Sequence, residues 1–380
     1  MQVGLAVSRR SVLSRAAGND GNHTRLYRQM EPNNFISGPD APIVVTGAAG
    51  FIGPALIESL LRHGFRNIRA FVRPSSDMTR LEAVASSHRP AAQVTVIKGN
   101  LLSREDCFTA TNGAAVIFHL ATTSDKSFPN AFMNSVVTTR NLLESSLEHT
   151  RLRRFVNVSS FAVYSNAQKL GKVLDESSPV EEHAGHGSDA YCFAKIKQDQ
   201  LVSEYGKTFG IPYVIVRPGS VYGPGKEAIT GRVGIDTFGI FLHLGGGNRI
   251  PFTYVDNCAD AIVLAGLRAG VEGEVFNIVD DNLPTSRQFL RLYKRNVRPF
   301  SSIYVPRFVS YALCGLWEKY SDWSEGQLLP VFNRRRWRSE WKKTRYSNEK
   351  LKARLGWTPK VPTAEGLSRY FQSCRERRHA

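Results

Sequence analysis

Short apolar runs alternate with amphipathic stretches along the first half of the chain. Runs of about three to six mostly apolar residues predict buried β-strands, and longer periodic stretches such as residues 130–147 predict helices. Alternating strands and helices form a parallel sheet covered on both faces, so the pattern predicts an α/β, doubly wound fold. Ligands of such sheets bind at the carboxyl ends of the strands. The five predicted strands span residues 43–45, 68–72, 94–97, 115–120 and 154–158.

A glycine-rich turn joins the first predicted strand to the first helix. Gly47, Gly50 and Gly53 let the backbone bend sharply and approach a ligand closely, and Phe51 and Ile52 separate the last two glycines. The helix start that follows presents free N–H groups and a partial positive charge to an anion. Such a turn alone is a weak signal, but its place between a strand and a helix favours a Rossmann-type dinucleotide-binding domain. We expect all five residues to bind the cofactor.

Tyr191 and Lys195 are four residues apart on a helix predicted over residues 189–204, so both can face one ligand. An isolated tyrosine has a pKa of about 10, and a neighbouring cation favours its phenolate. Such a tyrosine can exchange the proton of a secondary alcohol while a nicotinamide exchanges the hydride. Taken alone, the pair is better explained by a packed tyrosine and a solvated lysine. Ser160, after the fifth strand, and the upstream glycine turn favour catalysis by these three residues.

Seven ordered motifs resemble the extended short-chain dehydrogenase/reductase superfamily, whose core is the NAD-dependent epimerase/dehydratase family. The resemblance covers residues 42–371. It implies that Tyr191 is the acid and base, that Lys195 lowers its pKa and holds the nicotinamide ribose, and that Ser160 donates to the substrate oxygen. Further cofactor contacts are expected from Leu101, Ala121, Pro218 and Val221. The motifs lie at residues 46–53, 118–121, 158–164, 191–195, 217–225, 254–257 and 355–359.

Departures from the family pattern reduce the number of reactions and substrates that fit the sequence. Phe161 and Ala162 occupy the positions where dehydratases of the superfamily carry an acidic pair, so a dehydratase is disfavoured. Ser220 stands where nucleotide-sugar enzymes commonly place an asparagine, which weakens a nucleotide-sugar substrate without excluding it. The remaining similarity is to the 3β-hydroxysteroid dehydrogenase and dihydroflavonol reductase branch, which acts on apolar ring alcohols and ketones. It lies in residues 254–261, 273–278 and 330–359.

Two substrate classes therefore stay open, a nucleotide sugar and an apolar ring alcohol. A diphosphate needs cations, and Arg249, Arg287 or Arg334 can supply them. An apolar ring needs an apolar enclosure. We expect residues 308–317 to cap the cavity, and the aromatic candidates are Phe238, Phe241, Phe308, Tyr311 and Trp317. A non-catalytic nucleotide-binding protein on the same fold is the remaining alternative.

The residue after the second strand indicates which dinucleotide binds. An acidic side chain there bonds the ribose 2′-hydroxyl of NAD, whereas Arg73 suits a 2′-phosphate. The cofactor is thus NADP or NAD, and Arg73 favours NADP. Asn100, after the third strand, can contact the adenine amino group.

Composition fits one large enzyme domain. The chain has 380 residues, of which 42% are hydrophobic, and no run reaches the roughly 18 apolar residues that span a bilayer. Its five cysteines are an odd number without metal-ligand spacing, which predicts reduced thiols, no metal site and a cytoplasmic location. We also expect a homodimer.

Positive charge is concentrated at the end of the chain. The formal net charge is +17, and residues 334–380 hold 10 Arg and 5 Lys against 4 Glu. Interleaved cations and aromatics at residues 334–343 are compatible with nucleic-acid binding. We interpret them as a solvated helix face, with no nucleic-acid partner. Contact of this basic segment with anionic lipid is a further possibility, without any integral membrane segment.

The predicted organisation has four parts. Residues 1–40 form an extension, predicted to be disordered, in which an arginine-rich targeting peptide is conceivable. Residues 41–221 form mainly the dinucleotide-binding domain. Residues 222–375 form mainly a smaller C-terminal substrate-binding lobe, with segments that return to the first domain. Residues 376–380 form a basic tail.

Overall fold

The computed structural model describes residues 34–88, 92–123, 127–149, 151–165, 172–181, 189–226, 229–237, 239–324 and 333–379. The chain divides into two compact units, Met1–Phe35 and Ile36–Ala380. Nearly all of the first unit, and most of the predicted extension at residues 1–40, lies outside the described residues. Every element named below belongs to the second unit.

Strands and helices alternate from the start of the second unit. The strands are β1 Ile43–Thr46, β2 Asn67–Val72, β3 Gln93–Lys98, β4 Val116–His119, β5 Arg154–Val158, β6 Val173–Leu174, β7 Tyr213–Pro218, β8 Ser220–Tyr222, β9 Gly234–Thr237, β10 Ile240–His243, β11 Phe252–Tyr254, β12 Val275–Ile278, β13 Ser302–Tyr304 and β14 Arg345–Tyr346. The α-helices are α1 Gly53–Arg62, α2 Thr79–Ser87, α3 Arg104–Thr111, α4 Phe128–Ala131, α5 Thr138–Leu147, α6 Ala190–Phe209, α7 Val255–Leu267, α8 Ser286–Asn296, α9 Arg307–Trp323, α10 Arg334–Glu340, α11 Glu349–Leu355 and α12 Thr363–His379.

Seven strands form the central sheet, in the order β12-β7-β5-β4-β1-β2-β3. All neighbouring pairs in it are parallel. The five strands predicted from apolar runs are confirmed, and so is the doubly wound α/β fold. The strand order reverses between β1 and β4, and this switch point is where such sheets bind ligands.

Local sequence signals set the ends of the helices that flank the site. Asp189 caps α6 by accepting a hydrogen bond from the Cys192 amide at 2.6 Å, and Gly210 ends that helix with φ +71°. The helix predicted over residues 130–147 is interrupted, because a π-helical segment, Phe132–Val137, separates α4 from α5. The Ser135 carbonyl in this segment accepts hydrogen bonds from the Thr139 hydroxyl and the Gln198 amide.

Helix α7 lies at the centre of the apolar core, and nearly every one of its side chains is buried. It packs against α1 on one face of the sheet. The close approach of α7 to the strands depends on Gly266, because a Cβ there would lie 2.4 Å from the Phe118 ring. Helix α7 therefore packs closely against the central sheet.

The later part of the chain adds small sheets and returns to the central one. Strands β9, β10 and β13 form a three-stranded sheet, and β8 pairs with β11. Trp357, after α11, is buried and donates its indole N–H to the Asn257 carbonyl in α7 at 3.2 Å. The division of residues 41–375 at residue 221 stays a prediction.

Candidate active site

A cavity of about 1040 Å³ opens at the carboxyl ends of the central strands. It lies at the switch point between β1 and β4 and extends to β8 and β11. All the residues predicted for catalysis and cofactor binding line it: Gly47, Gly50, Phe51, Ile52, Gly53, Arg73, Asn100, Leu101, Ala121, Ser160, Tyr191, Lys195, Pro218 and Val221. The structure thus brings these residues together, while their individual roles stay predictions.

The glycine-rich turn leaves room for a ligand and for close helix packing. Gly47 has φ +67°, and a Cβ on it would lie 2.9 Å from the Ala121 amide nitrogen. A Cβ on Gly53 would lie 2.2 Å from the Ala48 carbonyl oxygen, so only glycine lets α1 start this close to the turn. These positions form a backbone cradle at a helix N-terminus, which fits the pyrophosphate of a dinucleotide.

Tyr191 lies at the start of α6 and is partly exposed to the cavity. Burial raises the pKa of its hydroxyl, and a hydrogen bond with Ser160 partly opposes that rise. The Ser160 Oγ also accepts a hydrogen bond from the Ala162 amide at 3.2 Å, which fixes it at the start of a 3₁₀ turn, Phe161–Val163. Tyr191 is therefore protonated at neutral pH and can act as an acid, whereas the sequence predicted a pKa lowered by Lys195.

Lys195 is buried one turn further along α6, and its Nζ donates to the Val158 carbonyl at 2.7 Å. Burial lowers the pKa of this ammonium to about 8, and the nearby Asp199 carboxylate opposes the change. Asp199 is held by an ion pair with Arg217 at 3.0 Å and by the Asn157 amide at 2.9 Å. A buried polar network of Asp199, Arg217 and Asn157 therefore lies next to Lys195 and helps to hold it in position.

Two further polar side chains near the site, His119 and Cys192, are part of the scaffold. His119 Nδ1 lies 2.8 Å from the Thr46 hydroxyl and Nε2 lies 2.9 Å from the Thr139 hydroxyl. Burial lowers the pKa of His119 to about 3, so the imidazole is neutral. The Cys192 thiol donates to the Ala162 carbonyl at 3.0 Å, and burial raises its pKa to about 12. Packing, rather than reactivity, accounts for this cysteine.

The part of the cavity predicted to bind adenosine carries an exposed cation. Arg73 follows β2 and is exposed at the cavity wall, as expected for a residue that meets the ribose. The Asn100 side-chain oxygen accepts a hydrogen bond from the Leu102 amide at 3.0 Å. Its contact with adenine stays a prediction, since this oxygen already stabilises the turn after β3.

Sequence reasoning missed two cations beside the glycine turn. The Lys226 Nζ and the Arg80 guanidinium lie 5.5 Å and 5.7 Å from the centre of the Phe51 ring. Lys226 as a residue is exposed, yet its ammonium lies against the cavity wall, donates to the Val221 carbonyl at 3.0 Å and has its pKa lowered by desolvation. The sequence feature that could have identified this lysine is its position directly after Gly225, at the end of a motif that resembles the family pattern.

The predicted cations for a sugar diphosphate do not line the cavity. Arg249 donates to the Leu283 carbonyl at 3.1 Å, Arg287 lies over the Tyr304 ring, and Arg334 pairs with Glu318. The predicted aromatic enclosure is also wrong for Phe241, Phe308, Tyr311 and Trp317, because none of them lines the cavity. Phe238 lies outside the described residues. Besides Tyr191, the aromatic lining consists instead of Tyr222, Phe252, Phe289 and Tyr370, together with Phe51 and Phe71.

Helix α9 therefore does not cap the cavity as residues 308–317 were expected to do. Phe308 and Trp323, near its two ends, are each 77% exposed. The helix packs instead against α10, where the Trp337 indole N–H donates to the Ser310 hydroxyl at 2.8 Å. No helix in the described ranges has the length and apolar character needed to cross a membrane.

Comparisons with known proteins agree with this architecture. A family model described as the NAD dependent epimerase/dehydratase family matches residues 43–279. An uncharacterized UDP-glucose epimerase of Bacillus subtilis (strain 168) is 31% identical over 252 residues, which are 62% of this chain and 76% of that relative. Isoform 2 of the 3beta-hydroxysteroid-dehydrogenase/decarboxylase of Arabidopsis thaliana is 26% identical over 356 residues. That match covers 87% of this chain but only 61% of that relative.

A solved structure has the same fold over most of the chain. The UDP-glucuronic acid 4-epimerase from Bacillus cereus, in complex with UDP-glucuronic acid and NAD, superposes with a TM-score of 0.66 and 21% sequence identity. The superposition covers 88% of this chain and 99% of that chain.

Proposed function

Because the chain belongs to the NAD-dependent epimerase/dehydratase family, we propose that Ser160, Tyr191 and Lys195 catalyse hydride exchange between nicotinamide and a secondary alcohol or its ketone. The chain is an NAD(P)-dependent enzyme of the oxidoreductase and epimerase class. The observation that carries the assignment of residues is that all three line one cavity with the glycine turn. The backbone cradle at Gly47 and Gly53 fits the cofactor that the family uses.

Each catalytic residue has a distinct task in this proposal. The bound nicotinamide supplies or accepts the hydride. Tyr191, whose raised pKa keeps it protonated, donates its proton to a ketone oxygen and in the reverse direction takes it back from the alcohol. Ser160 holds the same oxygen by a hydrogen bond. The buried Lys195 ammonium stabilises the phenolate that is left on Tyr191.

We infer that NADP binds more tightly than NAD. Three cations, Arg73, Arg80 and Lys226, line the adenosine and pyrophosphate part of the cavity. The acid in the described lining is Asp77, whose carboxylate accepts hydrogen bonds from the Thr79 amide and hydroxyl. An additional 2′-phosphate is therefore favoured by charge.

For the substrate, the cavity favours an apolar ring alcohol or ketone. Its wall near Ser220 is aromatic, formed by Tyr222, Phe252 and Phe289, and the cations predicted for a sugar diphosphate lie elsewhere. The second candidate is a nucleotide sugar, as in the printed name of the Bacillus subtilis relative. In that case Lys226 would serve the substrate diphosphate as well as the dinucleotide.

Turnover of a substrate panel tests the proposal. NADP- and NAD-dependent activity is measured on sterol-like alcohols, flavonoid-like ketones and nucleotide sugars. Tyr191→Phe should lower kcat by about 100-fold or more and leave cofactor binding intact, because it removes a proton donor alone. Tyr205→Phe, on the same helix with its hydroxyl on Glu144, is the matched control. Near-normal turnover by Tyr191→Phe would refute the catalytic assignment.

The same panel separates the two substrate classes. If a nucleoside diphosphate raises the melting temperature and competes with substrate, the nucleotide sugar is the substrate class. If it has no effect while apolar ring alcohols turn over, the aromatic wall forms the substrate site.

We also propose a homodimer and a cytoplasmic location. Phe132 and Met133 are 40% and 44% exposed, and residues 127–139 contain no charged side chain. The Phe132 ring lies 6.4 Å from Phe193 on α6, so one apolar surface extends over two neighbouring helices. A surface of this kind suits a second copy of the chain. None of the five cysteines, all of which the structure describes, forms a disulfide, which supports a reducing compartment.

A further inference from the structure

One face of α9 exposes large apolar side chains to solvent. Phe308, Leu316 and Trp323 are 77%, 63% and 77% exposed, at helix positions i, i+8 and i+15. This spacing places them along the same side of the helix, and Leu313 and Tyr320 widen the apolar strip. Single exposed apolar residues are ordinary, but five on a helix of 17 residues form a patch that indicates a binding surface.

The opposite face of α9 is firmly anchored to the protein. Cys314 is buried in an apolar cluster with Leu244, Trp337 and Trp341. The Ser310 hydroxyl accepts the Trp337 indole N–H at 2.8 Å. The exposed strip is therefore presented on a packed helix rather than on a loosely attached segment.

Two cations lie near the strip. Lys319 is exposed on α9, and Arg338 of the neighbouring α10 lies 3.1 Å from the Tyr311 hydroxyl. The acids of α9 are Glu318, which is neutralised by Arg334, and Asp322. Exposed aromatic and leucine side chains beside cations are typical of a helix that lies in the plane of a membrane interface.

We propose that this α9 face docks the protein on an anionic lipid surface. Burial of Phe308, Leu316 and Trp323 among acyl chains supplies one part of the affinity, and attraction of Lys319 and Arg338 to acidic headgroups supplies the other. Stable attachment requires both, because either contribution alone is weak and reversible. A second copy of the chain fits less well, because a symmetric contact would bring these cations together with their own counterparts.

Vesicle flotation tests the docking surface. The full chain should float with phosphatidylcholine vesicles that contain phosphatidylserine and bind much less to phosphatidylcholine alone. Raising NaCl from 0.1 M to 1 M shortens the screening length to about 3 Å and should weaken binding. Lys319→Gln and Arg338→Gln should each weaken it about fivefold, and Phe308→Ser and Leu316→Ser roughly tenfold each. Phe209→Ser, at a residue that is 55% exposed on α6, is the matched control and should bind normally.

Trp323 provides a second, local readout. It is far more exposed than Trp337, Trp341 and Trp357, which are buried. Its emission should shift to shorter wavelength on anionic vesicles and be quenched by brominated acyl chains, and Trp323→Phe should retain binding while losing most of both signals. Equal binding by the apolar variants and wild type would overturn the proposal. So would a Trp323 shift that depends on protein concentration and not on lipid, because that result identifies a second copy as the occupant.

Discussion

Sequence motifs predict some residues of the proposed cofactor site. Other residues reach this site only through the tertiary structure. The glycines, Ser160, Tyr191 and Lys195 were predictable because each belongs to a motif with a fixed place after a strand or on a helix. Lys226 and Arg80 were not, because their approach to Phe51 depends on how a distant loop and helix fold over the turn. The prediction of cations for a sugar diphosphate was wrong for the same reason, because amino-acid composition does not show which way a side chain points.

The two cations Arg73 and Lys226 should have separable effects on cofactor affinity. Arg73→Ala should weaken NADP roughly tenfold and leave NAD unchanged, because it removes a partner of the 2′-phosphate. Lys226→Met should weaken both dinucleotides by about tenfold, because its ammonium lies beside the turn that we propose holds the pyrophosphate. Fluorescence titration measures both constants. Lys197→Met, which removes an exposed cation of α6, is the control. Equal loss of NAD and NADP in Arg73→Ala would contradict the proposed preference.

Lys195 should make cofactor binding depend on pH. Its folded pKa is about 8, lowered by burial, so the ammonium loses its proton as the pH rises through 8. The attraction of this ammonium for the bound cofactor is present below that pH and is lost above it. Dissociation constants measured between pH 6.5 and 9.5 should therefore increase above pH 8 in the wild type. In Lys195→Met the dissociation constants should be larger and should not change with pH. An unchanged slope in that variant would assign the titration to another group.

Among the secondary-structure elements, the strands were predicted from the sequence more accurately than the interiors of the helices. Strand β5 was predicted with the same bounds, because a strand buried on both faces is mostly apolar, although Arg154 and Asn157 in it are buried polar residues. The π-helical segment Phe132–Val137 was not predicted, because it depends on hydrogen bonds to the Ser135 carbonyl from Gln198 on α6. The position of α9 was mispredicted because an apolar helix face in a sequence does not identify what it contacts, and in the structure this face is exposed.

The junction of β1 and α1 depends on glycine at position 53. Gly53→Ala should lower the stability of the fold by about 1–3 kcal/mol and weaken cofactor binding, because its Cβ would lie 2.2 Å from the Ala48 carbonyl oxygen. Thermal unfolding and NADP titration measure the two effects. Gly38→Ala is the control, since a Cβ there meets nothing within 4 Å and the backbone needs no positive φ. Equal stability of the two variants would show that α1 can shift without loss.

At the scale of the whole molecule, two exposed apolar surfaces have different surroundings and should have different partners. The surface around Phe132 and Met133 lies in a stretch without charged side chains, whereas the strip on α9 has Lys319 and Arg338 nearby. Uncharged apolar surfaces suit symmetric self-association, because identical copies meet without repulsion. Cationic apolar surfaces suit anionic lipid instead.

Introducing charge at the first surface should therefore abolish the proposed homodimer and leave lipid binding intact. The double variant Phe132→Glu with Met133→Glu would place four like charges in a symmetric contact, so sedimentation velocity should give a monomer at concentrations where the wild type is a dimer. Phe209→Glu adds charge at a comparably exposed position and is the control. The triple variant Phe308→Ser, Leu316→Ser and Trp323→Ser should stay dimeric. A monomeric wild type, or a dimer that the triple variant alone dissociates, would move the self-association surface to α9.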